Sequence, residues 1–224
     1  MTKPKICYRF VNENMTSNYD GETEWKLGEW KKVEGKLKCC SNGLHASLTP
    51  LQSLNNVYGS RWFIAEYRGK IVKEDNKFCA SEMKLIKEIP IIVVKRFALF
   101  CAKDCLKYYE KEYPNDNRIA ECIKTTEDYL DGKATIDEQS VAESAAQSAA
   151  ESSESAWSAV WSARSVRSAE SAVSAESASS AAWSAVWSAA WTAVWSARSV
   201  RSVRSAAKKR QEKELKRLIK EHAK

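Results

Sequence analysis

Apolar positions along this chain follow two periods, and the change between them falls near Pro90. Before it the pattern is that of strands. Residues 5–12 alternate, with Ile6, Tyr8 and Phe10 on one face and Cys7, Arg9 and Val11 on the other. Residues 23–33 carry Trp25 and Trp30 around Gly28 and predict a strand or bulged strand. Residues 35–40 predict a short strand, followed by the turn signal Ser41-Asn42-Gly43. Thr49-Pro50 opens a short helix over 51–58, with Thr49 as N-cap and Pro50 at the first helical position. Residues 61–68 form a further alternating strand closed by Gly69, and 80–89 add one more.

Beyond Pro90 the spacing is helical. Residues 97–113 place Phe97, Leu99, Phe100, Leu106 and Tyr109 at helical intervals, and a Pro-Asn-Asp-Asn loop separates them from a helix over 118–130. That helix ends at Asp131-Gly132, where glycine suits a left-handed cap. Thr135 with Glu138 three residues on predicts a capping box for the next helix. From about Ser140 to Ala206, Ser, Ala, Trp and Arg recur every three or four residues, and no Gly or Pro follows Gly132. AWSAVWSARSVRSA at 156–169 returns as AWTAVWSARSVRSV at 190–203. The serines step by about 3.4 residues on average, close to the helical repeat. Between Ser162 and Ser180 the step is three, so no fixed Ser face survives there. A bend is expected near Ser177–Ser180, since an unbroken helix would run about 130 Å. Residues 208–224 put Leu215, Leu218, Ile219 and His222 on one stripe, as in an amphipathic closing helix.

The fold class these patterns predict is α+β, a small mostly-β N-terminal domain followed by an all-α Ser/Ala/Trp-rich helical repeat region. The expected segments are a small α+β domain over 1–93 and two helices over 94–134. Long helices or a helical hairpin with a basic C-terminal helix follow over 135–224.

Charge sharpens this picture at one end. The formal net charge is +7, and from Ser196 onward eleven Lys or Arg face three Glu. Such a run attracts nucleic acid, anionic lipid or an acidic protein, or else forms the solvated face of a helix. There is no apolar leader in MTKPKICYRFVNEN and no apolar span of about 20 residues. A soluble, cytoplasmic protein without a transmembrane segment is expected. The seven scattered cysteines, an odd number, fit a reducing compartment better than a disulfide framework.

Candidate chemistry is sparse. His45, after a turn and before a helix, is the best single catalytic or ligand-binding candidate, against a structural histidine hydrogen-bonded beside the turn. Cys101, Cys105 and Cys122 could hold zinc with one further ligand, but a lone C-x-x-x-C pair reads more readily as core. Cys39-Cys40 reads as strand packing rather than a redox pair. Neither a metal nor another cofactor is expected. Trp157, Trp161, Arg164, Arg167, Trp191, Trp195, Arg198, Arg201 and Arg204 are the candidate binding residues. Tryptophan interleaved with arginine can stack on bases beside phosphates, line a membrane surface, or pack as a seam between helices. P-loop, G-x-S-x-G, H-E-x-x-H and G-x-G-x-x-G patterns do not occur.

Two resemblances rest on these motifs. Residues 25–89, with Gly43-Leu44-His45-Ala46 and a later Asp75-Asn76-Lys77, resemble an uncharacterised domain of phage and bacterial proteins whose hallmark is a Gly-Leu-His-Ala turn. Residues 97–149 and their Ala-rich continuation are similar to helical immunity proteins. Neither resemblance carries an established catalytic residue. A fainter one, to ADP-ribosyltransferase-like folds, rests on the order strand, Gly-Leu-His-Ala-Ser, helix, strand. It would cast Arg9, His45 and Ser47 as site residues, with Glu82 or Glu88 as the acid.

The expected function is therefore that of a non-enzymatic, immunity-like or phage accessory interaction protein, binding a protein partner or itself through the helical array. The alternatives are nucleic-acid binding through Arg198, Arg201, Arg204, Lys208, Lys209 and Arg210, and an ADP-ribosyltransferase-like enzyme in the N-terminal domain.

Overall fold

The computed structural model describes residues 3–17, 20–54, 59–75, 77–150 and 201–223. In chain order its N-terminal elements are β1 (Lys5–Val11), β2 (Trp30–Lys32), β3 (Leu44–Ala46), α1 (Pro50–Leu54), β4 (Arg61–Lys73) and β5 (Phe78–Ile89). The long β4–β5 hairpin is the frame. β1 runs antiparallel to β4, from Lys5 opposite Tyr67 to Val11 opposite Arg61. The far edge of β5 is shared by two short strands: β3 lies opposite Phe78, Cys79 and Ala80, and β2 opposite Glu82, Met83 and Lys84. Directly after β3, Ser47 and Tyr8 exchange two backbone hydrogen bonds of 2.9 Å each. β1 and β3 stand at opposite ends of the pairing order, so this bridge turns the sheet back on itself.

Alternation along β1 explains what it buries. Cys7, Arg9 and Val11 point into the interior, where Cys7 and Val11 join Phe63, Ala65, Phe78, Met83 and Leu85. Phe10, on the other face, is buried as well, because it stacks on Trp62 with ring centroids 5.5 Å apart. The Trp62 indole N–H donates to Ser53 Oγ of α1 at 3.0 Å, so a five-residue helix covers this side. That helix is capped reciprocally: the Gln52 N–H donates to Thr49 Oγ1 and the Thr49 N–H to Gln52 Oε1, both at 3.2 Å.

The helices that follow are α2 (Ile91–Glu112), α3 (Arg118–Leu130), α4 (Ile136–Ala150) and α5 (Arg201–His222). Leu99, Ala102, Tyr109, Ile119, Cys122, Ile123 and Ala146 make one core among α2, α3 and α4. Gly132, at φ 72°, ends α3 with its N–H on the Tyr129 carbonyl at 3.0 Å. The Thr135–Glu138 capping box forms as expected, with the Thr135 N–H on Glu138 Oε2 at 2.7 Å. On α5, Leu215, Leu218 and Ile219 are buried. The chain divides into two compact units, Met1–Pro90 with Leu215–Lys224, and Ile91–Glu214. Among the described residues, no helix is long and apolar enough to cross a membrane.

The expected fold class needs correction. The protein is mixed α/β, with one sheet of five antiparallel strands in its N-terminal region and helices after it, not an all-α helical repeat region. The physical reason lies in what is buried. The core of α2 to α4 depends on large, non-repeated side chains such as Leu99, Tyr109, Ile119 and Ile123, whereas a Ser/Ala period offers little apolar area. The bend expected at Ser177–Ser180 lies outside the described residues. Two strand expectations also change. Only Trp30–Lys32 of 23–33 pairs as a strand, because Trp25 turns into the core and the Gly28 N–H goes to the Leu85 carbonyl at 2.8 Å. Residues 35–40 form a loop, since Asn42 Nδ2 donates to the carbonyls of Glu34 (2.9 Å) and Lys36 (3.2 Å) and so satisfies them off the ladder.

The α2–α3 corner yields a pH prediction. Asp116 accepts from the Arg118 guanidinium (2.5 Å to Oδ2), from the Arg118 backbone N–H (3.1 Å) and from the Tyr109 hydroxyl (2.8 Å). The Arg118 side chain above all holds its carboxyl well below the usual carboxylate range. Burial and then Asp116 push the Tyr109 phenol up to about 12. A carboxyl depressed in the folded state adds stability above its unfolded pKa and loses it as pH falls through the folded one. Asp116→Asn should therefore flatten part of the acid limb of stability below about pH 4, read by urea denaturation at stepped pH.

Candidate functional site

Arg9 organises the interior of the N-terminal unit. Its side chain is 8% exposed. Nη1 donates to the His45 carbonyl, Nη2 donates to Ser17 Oγ at 2.7 Å, and the guanidinium lies 4.4 Å from the Trp25 ring centroid. Ser17 Oγ also accepts the Trp25 indole N–H at 2.8 Å. Burial lowers the Arg9 pKa to about 10, opposed by Cys7 and Asp20, so the group remains a cation at neutral pH. Among the described residues its Nε finds no hydrogen-bond partner. This cation ties β1 to β3 and to the Trp25 segment.

His45 stands on the other side of that contact. It lies directly opposite Cys79 in the β3–β5 ladder. The preceding loop turns at Lys38–Asn42, with Cys40 at φ 61°, and brings Cys39 back against β5. Cys39 Sγ and Cys79 Sγ are 3.5 Å apart, and ligand atoms of Cys39, His45 and Cys79 all fall within 4.8 Å of one another. His45 Nε2 accepts the Cys40 backbone N–H at 2.8 Å. Burial, then Arg9 and Lys77, lower the His45 pKa, so the imidazole is neutral at neutral pH. Burial and the neighbouring Cys79 push the Cys39 thiol up to about 12. Lys77, the last residue of the Asp-x-Lys element, sets its Nζ 2.9 Å from Cys40 Sγ. Gly43 lies at the end of the loop and Leu44–Ala46 form β3.

The three residues named from the sequence as weak catalytic candidates, Arg9, His45 and Ser47, come together where β1 meets β3. Arg9 is engaged by Ser17, Trp25 and the His45 carbonyl, and Ser47 is buried and paired through its backbone with Tyr8. Glu82 and Glu88 sit in ion pairs with Arg68 (2.7 Å) and Arg61 (2.5 Å). Sequence reasoning missed the grouping of Cys39 and Cys79 with His45. The available signal was Cys39-Cys40 just ahead of His45, while Cys79 arrives only through the β3–β5 pairing. The other cysteine set has a different fate. Cys101 is buried with Gln211 Nε2 at 3.9 Å, and Cys122 lies in the helical core, where burial pushes its thiol up to about 12.

Of the expected binding residues, Trp157, Trp161, Arg164, Arg167, Trp191, Trp195 and Arg198 lie outside the described residues. Arg201 and Arg204 fall on the first turns of α5. Further along that helix, Gln211, Leu215, Leu218 and Ile219 make a buried stripe. Lys209, Lys213, Lys216 and Lys220, spaced to share the opposite side of the helix, are exposed. Arg210 pairs with Asp104 of α2 at 2.9 Å.

The buried cation gives a direct prediction. Lysine cannot reproduce a planar fork that reaches Ser17 and the His45 carbonyl together. Arg9→Lys should lower stability in urea denaturation by about 2 kcal/mol, and an unchanged midpoint would refute the tie between β1 and β3.

Comparison with known families agrees with the division seen in the fold. Residues 5–94 match a domain of unknown function (DUF7666), and residues 84–220 match the Imm-5 like putative immunity protein family. The two matches overlap on the end of β5 and the start of α2. No curated protein and no solved structure gives a significant match. With more than half of its length matched by the second family, from the end of the sheet to the last turns of α5, the chain belongs to the Imm-5 like putative immunity proteins.

Proposed function

We propose that this protein acts in the cytoplasm as an immunity-type interaction protein, binding a protein partner through its helical region. The observation that carries the reading is the family match over 84–220, which takes in α2 to α5. The lysine-rich side of α5 supplies surface chemistry suited to an acidic partner, since complementary charge speeds encounter and selects the partner. The tryptophans and arginines named from the sequence, Trp157, Trp161, Arg164, Arg167, Trp191, Trp195, Arg198, Arg201 and Arg204, are the further binding residues of this reading. Tryptophan and arginine are the side chains that most often dominate binding energy.

The test places a photo-crosslinking side chain at Lys209 or Lys213 in cells, then rebuilds any crosslinked complex from purified components. The expected result is a defined complex that weakens on the order of tenfold or more when Lys209, Lys213 and Lys220 are changed to Glu. A purified protein that forms no heteromeric protein complex would contradict the reading. Self-association alone, or nucleic-acid binding that falls steeply with added salt, would replace it with one of the other two interaction modes.

A further inference from the structure

We propose that Cys39, His45 and Cys79 form a site for zinc, or for a metal ion of the same thiophilic, tetrahedral class, in the N-terminal unit. The donors are those that zinc selects, two thiolate sulfurs and an imidazole nitrogen. Thiolates bound at about 2.3 Å and at the tetrahedral angle stand about 3.8 Å apart, and the two sulfurs already lie 3.5 Å from each other. A disulfide would account for two of the three groups and would leave the converging imidazole unexplained. It would also require the sulfurs to close to about 2.05 Å.

The scaffold is built to bring these groups together. His45 and Cys79 are fixed as opposite residues of the β3–β5 ladder, and β3 is held in turn by the Ser47–Tyr8 bridge and by Arg9 on the His45 carbonyl. Cys39 is delivered by the loop that Asn42 ties to the carbonyls of Glu34 and Lys36. Gly43 allows the backbone to lie against the thiol of β5, because a Cβ there would stand 2.8 Å from Cys79 Cβ and 2.9 Å from its Sγ. Cys79 and Cys39 are buried, and His45 is partly exposed, which gives an ion a route from solvent.

Binding balances simply. Both thiols surrender their protons to solvent and form sulfur–metal bonds, and the neutral imidazole contributes a lone pair, so one divalent ion releases two protons. If Nε2 ligates, its hydrogen bond from the Cys40 N–H is exchanged for the nitrogen–metal bond. Cys40 itself is exposed beside Lys77, and the fourth position is left to water.

The test uses the full-length, fully reduced protein, titrated with cobalt(II) and then zinc(II). One ion per chain is expected, with thiolate-to-cobalt charge-transfer bands and the intense visible bands of a tetrahedral site, both bleached by zinc. Zinc should release two protons per ion and shield Cys39 and Cys79 from alkylation, mapped by peptide mass spectrometry, while Cys40 stays reactive. Cys39→Ser and Cys79→Ser should abolish binding and His45→Gln should weaken it, whereas Cys40→Ser and Cys101→Ser keep it. The cobalt spectrum and the proton count need no variant, so misfolding of a serine variant leaves them decisive. The proposal is overturned by a reduced protein that takes up no cobalt, by an octahedral spectrum without thiolate bands, or by zinc uptake that releases no protons. A Cys39–Cys79 disulfide in a protein whose reduced form binds neither ion overturns it equally.

Discussion

Closure of the N-terminal sheet rests on the meeting of β1 with the residues that end β3. Tyr8 and Ser47 exchange their two backbone hydrogen bonds, and one residue on, Arg9 reaches across to the His45 carbonyl. Taking a guanidinium out of water carries a penalty of several kcal/mol. Here it is offset by charge-assisted hydrogen bonds to Ser17 and His45 and by the face of Trp25. The outcome is positional. A three-residue strand too short to hold its own register is pinned between β5 and β1, and His45 is fixed opposite Cys79.

The helical unit is held by different means. Its core is a small set of large side chains from α2 and α3, together with Ala146 of α4, and its corners are set by local polar contacts. Asp116 gathers Arg118 and Tyr109 at one corner, and Thr135 with Glu138 starts the next helix. On α5, Lys209 and Lys213 are exposed.

Local rules were the legible part. The helix over Arg118–Leu130, its glycine cap, the Thr135 capping box and the Thr49-Pro50 helix start all depend on residues a few positions apart, and each appears as the pattern implies. Alternation in β1 likewise separated its two faces, but burial of Cys7, Arg9 and Val11 on one and Phe10 on the other came only with the fold. What depended on distant pairing was hidden. Residues 23–40 have strand composition, yet Asn42 and Gly28 divert their backbone groups elsewhere. Cys39 looked like strand packing because its partner Cys79 is brought to it only by the β3–β5 ladder. The repeat drew the fold-class expectation toward an all-α array, although the buried area that organises α2 to α4 comes mostly from residues outside it.

Native-state hydrogen exchange at single-residue resolution tests the central claim most directly, that β3 is locked into the sheet by β1. The amides of Tyr8 and Ser47 should exchange only with the slowest amides of the β4–β5 hairpin, in one cooperative opening. Fast exchange at Ser47 and Tyr8, with β4 and β5 still protected, would show β3 opening on its own and would contradict the account.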